Sequence, residues 1–226
     1  MPQLRPLRIW GTFPICGGAG ASTTAFYLAL AAKTLGVKSI LVEGDAFSRR
    51  NFQFEDQERN WNSYKNLEIK IPENAFPVPL SSGITYLSFQ QASENTGISA
   101  ANLIDGAAEE FDLIIIDLPR HFSEFTNSLI SKITVLNLIG FSGIESVKTL
   151  KRLKDSQLDL KMSNLFLRNS RISNLSAKES AYQMGFESFV TLPESESVQN
   201  FETYGVFPSS KDVLMKVLQN YLNVNL

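Results

Sequence analysis

One cysteine and one histidine in 226 residues exclude an internal disulfide, a multi-cysteine metal site and a histidine cluster. No apolar run reaches the roughly eighteen residues that a membrane-crossing helix needs, and the opening Met1-Pro2-Gln3-Leu4-Arg5-Pro6-Leu7-Arg8 places no long apolar segment behind its charges. A cytoplasmic, soluble protein without a transmembrane segment is therefore expected. Basic excess is missing as well. Lysine and arginine total 21 against 23 acids, a net charge of −2, which disfavours nucleic acid as the partner. Internal repeats and low-complexity tracts are also absent. What is present, 43% hydrophobic and 19% charged residues, is the composition of a globular chain. Its length suits one large α/β domain with a full core, so residues 1–226 read as a single domain.

The chain is organised around Ile15-Cys16-Gly17-Gly18-Ala19-Gly20-Ala21-Ser22-Thr23-Thr24. An apolar run from Leu7 to Phe13 leads into it as a buried strand. A helix from about Ser22 to Leu35 follows, with Ala25, Leu28, Ala29, Ala32 and Leu35 on one face and Gly36 as its stop. Glycines let the backbone turn with positive φ and aim N–H groups inward, and the positive end of the helix adds to them, so the loop forms an anion site sized for phosphates. In a P-loop the last glycine is followed by Lys and then by Ser or Thr. Here the lysine slot is Ala21, while Ser22 keeps the hydroxyl. Lys38 to Val42 then reads as a second strand, ending in Glu43-Gly44-Asp45. In the resulting βαβ unit the glycine loop and Glu43 to Asp45 share the ligand edge.

Residues 46–66 lack clear periodicity and read as a loop over the site or a partner surface. Prolines at 72, 77 and 79 precede a strand-like stretch from Gly83 to Phe89, and Ser99 to Phe111 reads as a helix. Asp112-Leu113-Ile114-Ile115-Ile116-Asp117 is the clearest buried strand, ending in a carboxylate followed by Leu118-Pro119. Alternation continues with helices near 122–131, 143–154 and 176–184, strands at 133–139, 164–168 and 186–192, and closing helices at about 196–204 and 210–222. The expected fold is α/β, a mostly parallel sheet with helices on both faces.

In this order the motifs resemble the MinD/ParA deviant Walker-A ATPases, and within them the CpaE/TadZ-like branch associated with Tad or Flp pilus assembly. Gly17-Gly18-Ala19-Gly20 with Ser22-Thr23 is similar to the family's P-loop, Glu43-Gly44-Asp45 to its Asp-x-Asp, Asp117-Leu118-Pro119-Arg120 to its second switch, Leu167-Arg168-Asn169 to its adenine-side segment and Leu192-Pro193-Glu194 to its Ile-Pro-x-Asp. The resemblance implies a P-loop NTPase fold with ATP and Mg as cofactors. It implies phosphate contacts at Gly17, Gly18, Ala19, Gly20, Ala21, Ser22 and Thr23, adenine contact at Asn169, Mg at Ser22 and Asp117, and Asp45 as the residue orienting the attacking water. A homodimer with facing sites is implied too, as are protein partners of a polar or membrane-associated assembly that recruit the chain to the inner face of the membrane.

Two departures matter. The family's lysine before the double glycine is Cys16 here, and the lysine after the last glycine is Ala21. Loss of one charge-stabilising donor costs about a hundred- to a thousandfold in rate, so the expectation is a localisation or assembly factor that binds ATP weakly and does not hydrolyse it efficiently. An active ATPase of the partition or division-site type is one alternative. A nicotinamide-dependent enzyme is another, since Gly18-x-Gly20-x-x-Thr23 nearly fits a dinucleotide turn and Glu43 follows at a ribose-binding spacing, although threonine in the third slot opposes it. Arg49, Arg50 and Arg120 are either substitute cations or surface arginines. Cys16 is either a reactive thiol or a small apolar filler. His121 is expected as an exposed first-turn residue. Ile144, Val147, Leu150 and Leu153 form a core stripe opposite a solvated face of Lys148, Lys151, Arg152 and Lys154, and the last helix packs on the sheet rather than on a membrane.

Overall fold

The computed structural model describes residues 8–44, 84–87, 104–108, 110–121, 123–155, 162–169, 173, 175–204 and 208–226. Seven strands, β1 (Arg8–Pro14), β2 (Ser39–Glu43), β3 (Thr85–Leu87), β4 (Leu113–Asp117), β5 (Val135–Phe141), β6 (Ser163–Arg168) and β7 (Val190–Leu192), form one sheet. Their order is β3-β2-β4-β1-β5-β6-β7 and every pairing is parallel. Helices alternate with them; among the described residues these are α1 (Ala21–Thr34), α2 (Glu124–Ile130), α3 (Ile144–Asp155), α4 (Ala177–Met184), α5 (Glu196–Tyr204) and α6 (Val213–Asn225), besides a helical stretch that precedes β4. The expected doubly covered α/β sheet is what the chain forms.

Strand residues alternate between two apolar layers because successive side chains point to opposite faces. One layer joins Ile9, Phe13, Val42, Ile114 and Ile116 to Val147, Leu150 and Met184 of α3 and α4. The other joins Trp10, Leu41, Ile115 and Phe166 to α1 and α6. Burial on both faces is why β4 reads as an unbroken aliphatic run. The single apolar face expected of α1 is a correction: all residues from Thr23 to Ala32 are buried, because α6 covers the side turned away from the sheet. Small alanines let three layers approach closely there.

Beneath α6 lies a polar cluster. Tyr221 donates its hydroxyl to Asn137 Oδ1 (2.7 Å) and accepts from Asn164 Nδ2 (2.7 Å), while its ring meets Trp10 and Phe166 edge-on at 5.5 and 4.8 Å. Burial pushes the Tyr221 hydroxyl well above its ordinary pKa, against the opposing Asn164 hydrogen bond. Asn137 Nδ2 is buried without a partner.

α6 starts at Asp212, whose carboxylate accepts from Met215 N–H (3.1 Å), Ser195 Oγ (2.5 Å) and Ser197 Oγ (2.8 Å). Tyr27 of α1 reaches the same Ser197 at 3.0 Å. Burial raises the Asp212 pKa, but the Ser195 and Ser197 hydroxyls and the backbone donors outweigh it, leaving the group below its usual value. A carboxylate depressed in the folded state stabilises above its unfolded pKa, and the contribution fades as pH falls through the folded one. Asp212→Ala is therefore expected to cost about 1–2 kcal/mol at neutral pH as a lost helix cap. The gap to wild type should narrow progressively as pH falls below the ordinary carboxylate range, and urea unfolding at pH 7 and over a series of acid pH values checks both.

Several boundaries differ from those read in the sequence. α2 spans 124–130 rather than 122–131, with Ser123 Oγ accepting from Thr126 N–H as its cap. His121 is exposed, as expected, but lies before the helix rather than in its first turn. β7 is confined to 190–192, not 186–192, because Gly185 in the left-handed conformation closes α4 and the chain returns to the sheet only at Val190. The last helix runs 213–225 rather than 210–222, starting where Asp212 caps it. In α3, Val147 and Leu150 are buried, but Ile144 is 48% exposed because it opens the helix a turn before the residues that reach the core. The charged face of Lys148, Lys151, Arg152 and Lys154 is exposed as expected. Of the strand expected at 83–89, residues 85–87 are strand; of the helix expected at 99–111, residues 104–108 and 110 are helical. Residues 46–66 and the prolines at 72, 77 and 79 lie outside the described residues.

Candidate functional site

β1 is the central strand and ends at the glycine loop. Ile15 prolongs its direction by donating its N–H to Ile139 O at 2.8 Å. Beyond it Cys16 is half-buried against the α1-side layer, its Sγ 3.4 Å from Ser146 Oγ. Gly17 and Gly18 are exposed, whereas Ala19 is fully buried and pins the loop to the core. Gly18 (φ 72°) and Gly20 (φ 88°) adopt the left-handed conformation that glycine takes at little steric cost. Gly20 caps α1, and its carbonyl accepts both the N–H and the hydroxyl of Thr24 at 2.8 Å. No side chain caps α1 and no acidic residue stands in its first turn. The result is a positive helix end under an exposed glycine turn. Ala21, Ser22 and Thr23 form that first turn, with Ser22 half-buried and Thr23 buried.

The neighbouring strands place acids at the same edge. Thr12, Asp117 and Glu43 are register partners across β1, β4 and β2. By alternation they lie on the face of the sheet that carries α1. Thr12 Oγ1 approaches Asp117 Oδ1 at 3.4 Å. Gly44 closes the gap between the two strand ends by donating to Asp117 O at 2.8 Å. Glu43 is 6% exposed and accepts the Tyr86 hydroxyl at 2.8 Å. That burial counts against the ribose role considered for Glu43, because little of the side chain reaches the surface where a ligand hydroxyl would meet it. Asp45, Arg49 and Arg50 lie outside the described residues.

β6 delivers Arg168, with Asn169 exposed directly after it. At Gly17 a Cβ would stand 2.8 Å from Nη1 of Arg120, and at Gly20 a Cβ would stand 2.9 Å from Nη1 of Arg168. Two guanidinium groups therefore lie against the loop. Sequence reading weighed Arg120 as a cation but missed Arg168, which it treated only as part of an adenine-side segment. A basic residue ending a strand at the ligand edge was the available signal. Among the described residues no group of three or more His, Cys, Asp or Glu side chains is arranged to hold a metal ion.

Comparison with known proteins agrees with the fold. The family model described as ATPase MipZ matches residues 15–137, from the glycine loop into β5. None of the curated proteins matches the sequence. Among solved structures, the fold is similar to the cell division ATPase MinD of Pyrococcus furiosus, at 17% identity and a TM-score of 0.77 over 97% of this chain and 100% of that one. It is similar to the septum site-determining protein MinD of Pyrococcus horikoshii OT3, complexed with Mg-ADP, at 18% identity and a TM-score of 0.75 over 96% of each chain. It also resembles the MinC:MinD cell division complex of Aquifex aeolicus, at 15% identity and a TM-score of 0.73 over 96% of each chain. Because the matched model spans more than half of the sequence, and its span holds the glycine loop, β2 and the β4 carboxylate, this chain belongs to the MipZ ATPase family.

Proposed function

We propose that the chain is a MinD/ParA-type localisation or assembly factor that binds Mg-ATP and hydrolyses it poorly. Following its resemblance to the CpaE/TadZ-like branch, it would help to position a pilus or secretion apparatus. One observation carries the nucleotide half of this reading: an uncapped helix end under an exposed glycine loop, with Cys16 and Ala21 in the family's lysine slots. Backbone N–H groups and the helix dipole hold phosphate without any lysine. Ser22 and Asp117 supply the hard oxygen ligands that suit Mg, a cation that keeps several waters and binds through few protein groups. They would hold it beside the phosphates, where bound Mg shields charge. By the same resemblance Asn169, directly after β6, would meet the base, and Asp45, outside the described residues, would orient the attacking water. The Pyrococcus horikoshii MinD structure contains Mg-ADP, which supports the same cofactors here.

Protein partners and a homodimer paired through the loop edge belong to the same proposal, supported by the MinC:MinD complex of a protein of this fold. No helix among the described residues is long and apolar enough to cross a membrane; recruitment to the membrane by those partners belongs to the same proposal. An active partition or division ATPase is the second reading, favoured by the family match itself.

Calorimetry with Mg-ATP and a turnover assay separate the two. Saturable binding is expected, with turnover no faster than a background control, because charge developing on the γ phosphate lacks both lysine clamps. Turnover above background that disappears with Asp45→Ala establishes the active ATPase instead. Sedimentation adds the assembly state: a monomer at tens of micromolar, with and without ATP, removes the dimer from the proposal.

A further inference from the structure

We propose that Arg120 and Arg168 form a two-sided arginine clamp that supplies the positive charge for the nucleotide's phosphates, in place of the lysines missing at positions 16 and 21. The inference rests on the nucleotide reading above and concerns the source of its charge.

Geometry is the first support. Arg120 lies three residues beyond the end of β4, and Arg168 is the last residue of β6. In the sheet order these strands flank β1 on opposite sides, β4 directly and β6 beyond β5. The two side chains thus reach the loop after β1 from both directions, Arg120 at Gly17 and Arg168 at Gly20.

Gly17 gives the second. Its φ is not among the positive ones, so its backbone conformation does not demand glycine. What a side chain would collide with is the Arg120 guanidinium, with Nη1, Cζ and Nη2 at 2.8, 3.3 and 3.5 Å from a Cβ. Glycine at 17 leaves room for a cation on the loop. Gly20 does the same for Arg168, with Nη1 and Cζ at 2.9 and 3.5 Å, in addition to turning the chain.

Charge is the third. Both guanidinium groups lie against the loop that starts α1, whose first turn carries no acid. Among the described residues no ion pair engages either of them. Cations at the positive end of a helix repel it and each other. An anion between them turns that repulsion into charge-assisted hydrogen bonds, and a guanidinium presents paired donors that match phosphate oxygens. A chain of several phosphates spans both arginines better than one phosphate does. Contacts made equally to the phosphates of the ground state and of the transition state strengthen binding without speeding turnover, so the clamp is compatible with poor hydrolysis.

The test is calorimetry of Mg-ATP and of AMP on the full chain, comparing wild type with Arg120→Ala, Arg168→Ala and Arg168→Lys, each checked by thermal melting. Both side chains reach the surface of the loop, so folding should survive. Each alanine variant is expected to weaken Mg-ATP binding by about tenfold or more, the scale of a lost charged hydrogen bond, with AMP affected far less and Arg168→Lys recovering part of the loss. If wild type binds Mg-ATP and the alanine variants bind it equally well, the clamp is wrong while the nucleotide site stands. Equal losses for ATP and AMP mean that the arginines only support the loop, which also overturns the clamp. If wild type binds no nucleotide, the site reading itself falls and the clamp with it.

Discussion

Trp10→Ala should remove about 3–5 kcal/mol of unfolding free energy, the range for deleting a buried aromatic side chain. Trp10 is 1% exposed in the central strand, within the layer shared by the sheet, α1 and α6. Its loss leaves Tyr221 without one of its two ring partners, above a cluster where Asn137 Nδ2 already lacks a hydrogen bond. The surrounding groups are held by hydrogen bonds and cannot collapse freely into the cavity. For a chain of this length the melting temperature should fall by roughly 6–20 °C, at about 2–4 °C per kcal/mol. Trp10→Phe, which keeps a ring, should recover most of it. A loss below about 1 kcal/mol for the alanine variant would show that α6 is not seated on β1.

The second large effect is expected from Gly44→Ala. A Cβ at Gly44 meets Asp117 O at 2.8 Å, a backbone atom that cannot swing aside, with Leu129 and Ile116 side chains at 3.2 and 3.3 Å behind it. β2 and β4 must then separate at the end where Gly44 N–H holds Asp117 O. Overpacking of this kind costs about 1–3 kcal/mol. Because Asp117 is assigned to Mg, the benefit of Mg to ATP binding should shrink along with stability. Gly18→Ala is the useful comparison, since a Cβ there meets nothing within 4 Å and only the positive φ of 72° opposes it. A Gly44→Ala protein with wild-type stability would show that the strand ends absorb the Cβ, whereas a destabilised one that keeps its Mg dependence would remove Asp117 from the metal site.

Much of this architecture was legible because its signals are local. Ile114, Ile115 and Ile116 announce a strand buried on both faces, and Gly18, Gly20 and Gly36 mark places where the chain takes a positive φ. Periodicity failed where tertiary neighbours decide burial. α1 has no polar face because α6 covers it, and Ile144 is exposed because it opens α3 too early to reach the core. In the candidate site, the glycine turn and the start of α1 were legible from Gly17 to Thr23, since they are contiguous in the sequence. Of the two arginines that lie against it, Arg120 was weighed as a cation from the sequence and Arg168 was not. Arg120 and Arg168 are separated from the loop by about a hundred residues or more, and only the pairing of β4, β1, β5 and β6 brings them to it. Glu43 shows the converse: its spacing suited a ribose, but its side chain is buried, with Tyr86 of β3 donating to it.

The sheet order carries a consequence for how the protein is made. β1 pairs with β4 and β5, never with β2 that follows it, and its first partnership joins Arg8 to Leu113. A ribosome must therefore deliver half of the chain before the strand bearing the glycine loop finds its first neighbour, and must pass residue 139 before Pro14 finds its β5 partner. Until then Ile9, Trp10 and Phe13 await burial in an unpaired segment. Contacts so distant in sequence slow folding and prolong the exposure of sticky intermediates. Fragments that end before β4 should accordingly lack both the loop's shape and any affinity for phosphate, however complete the motif looks in their sequence.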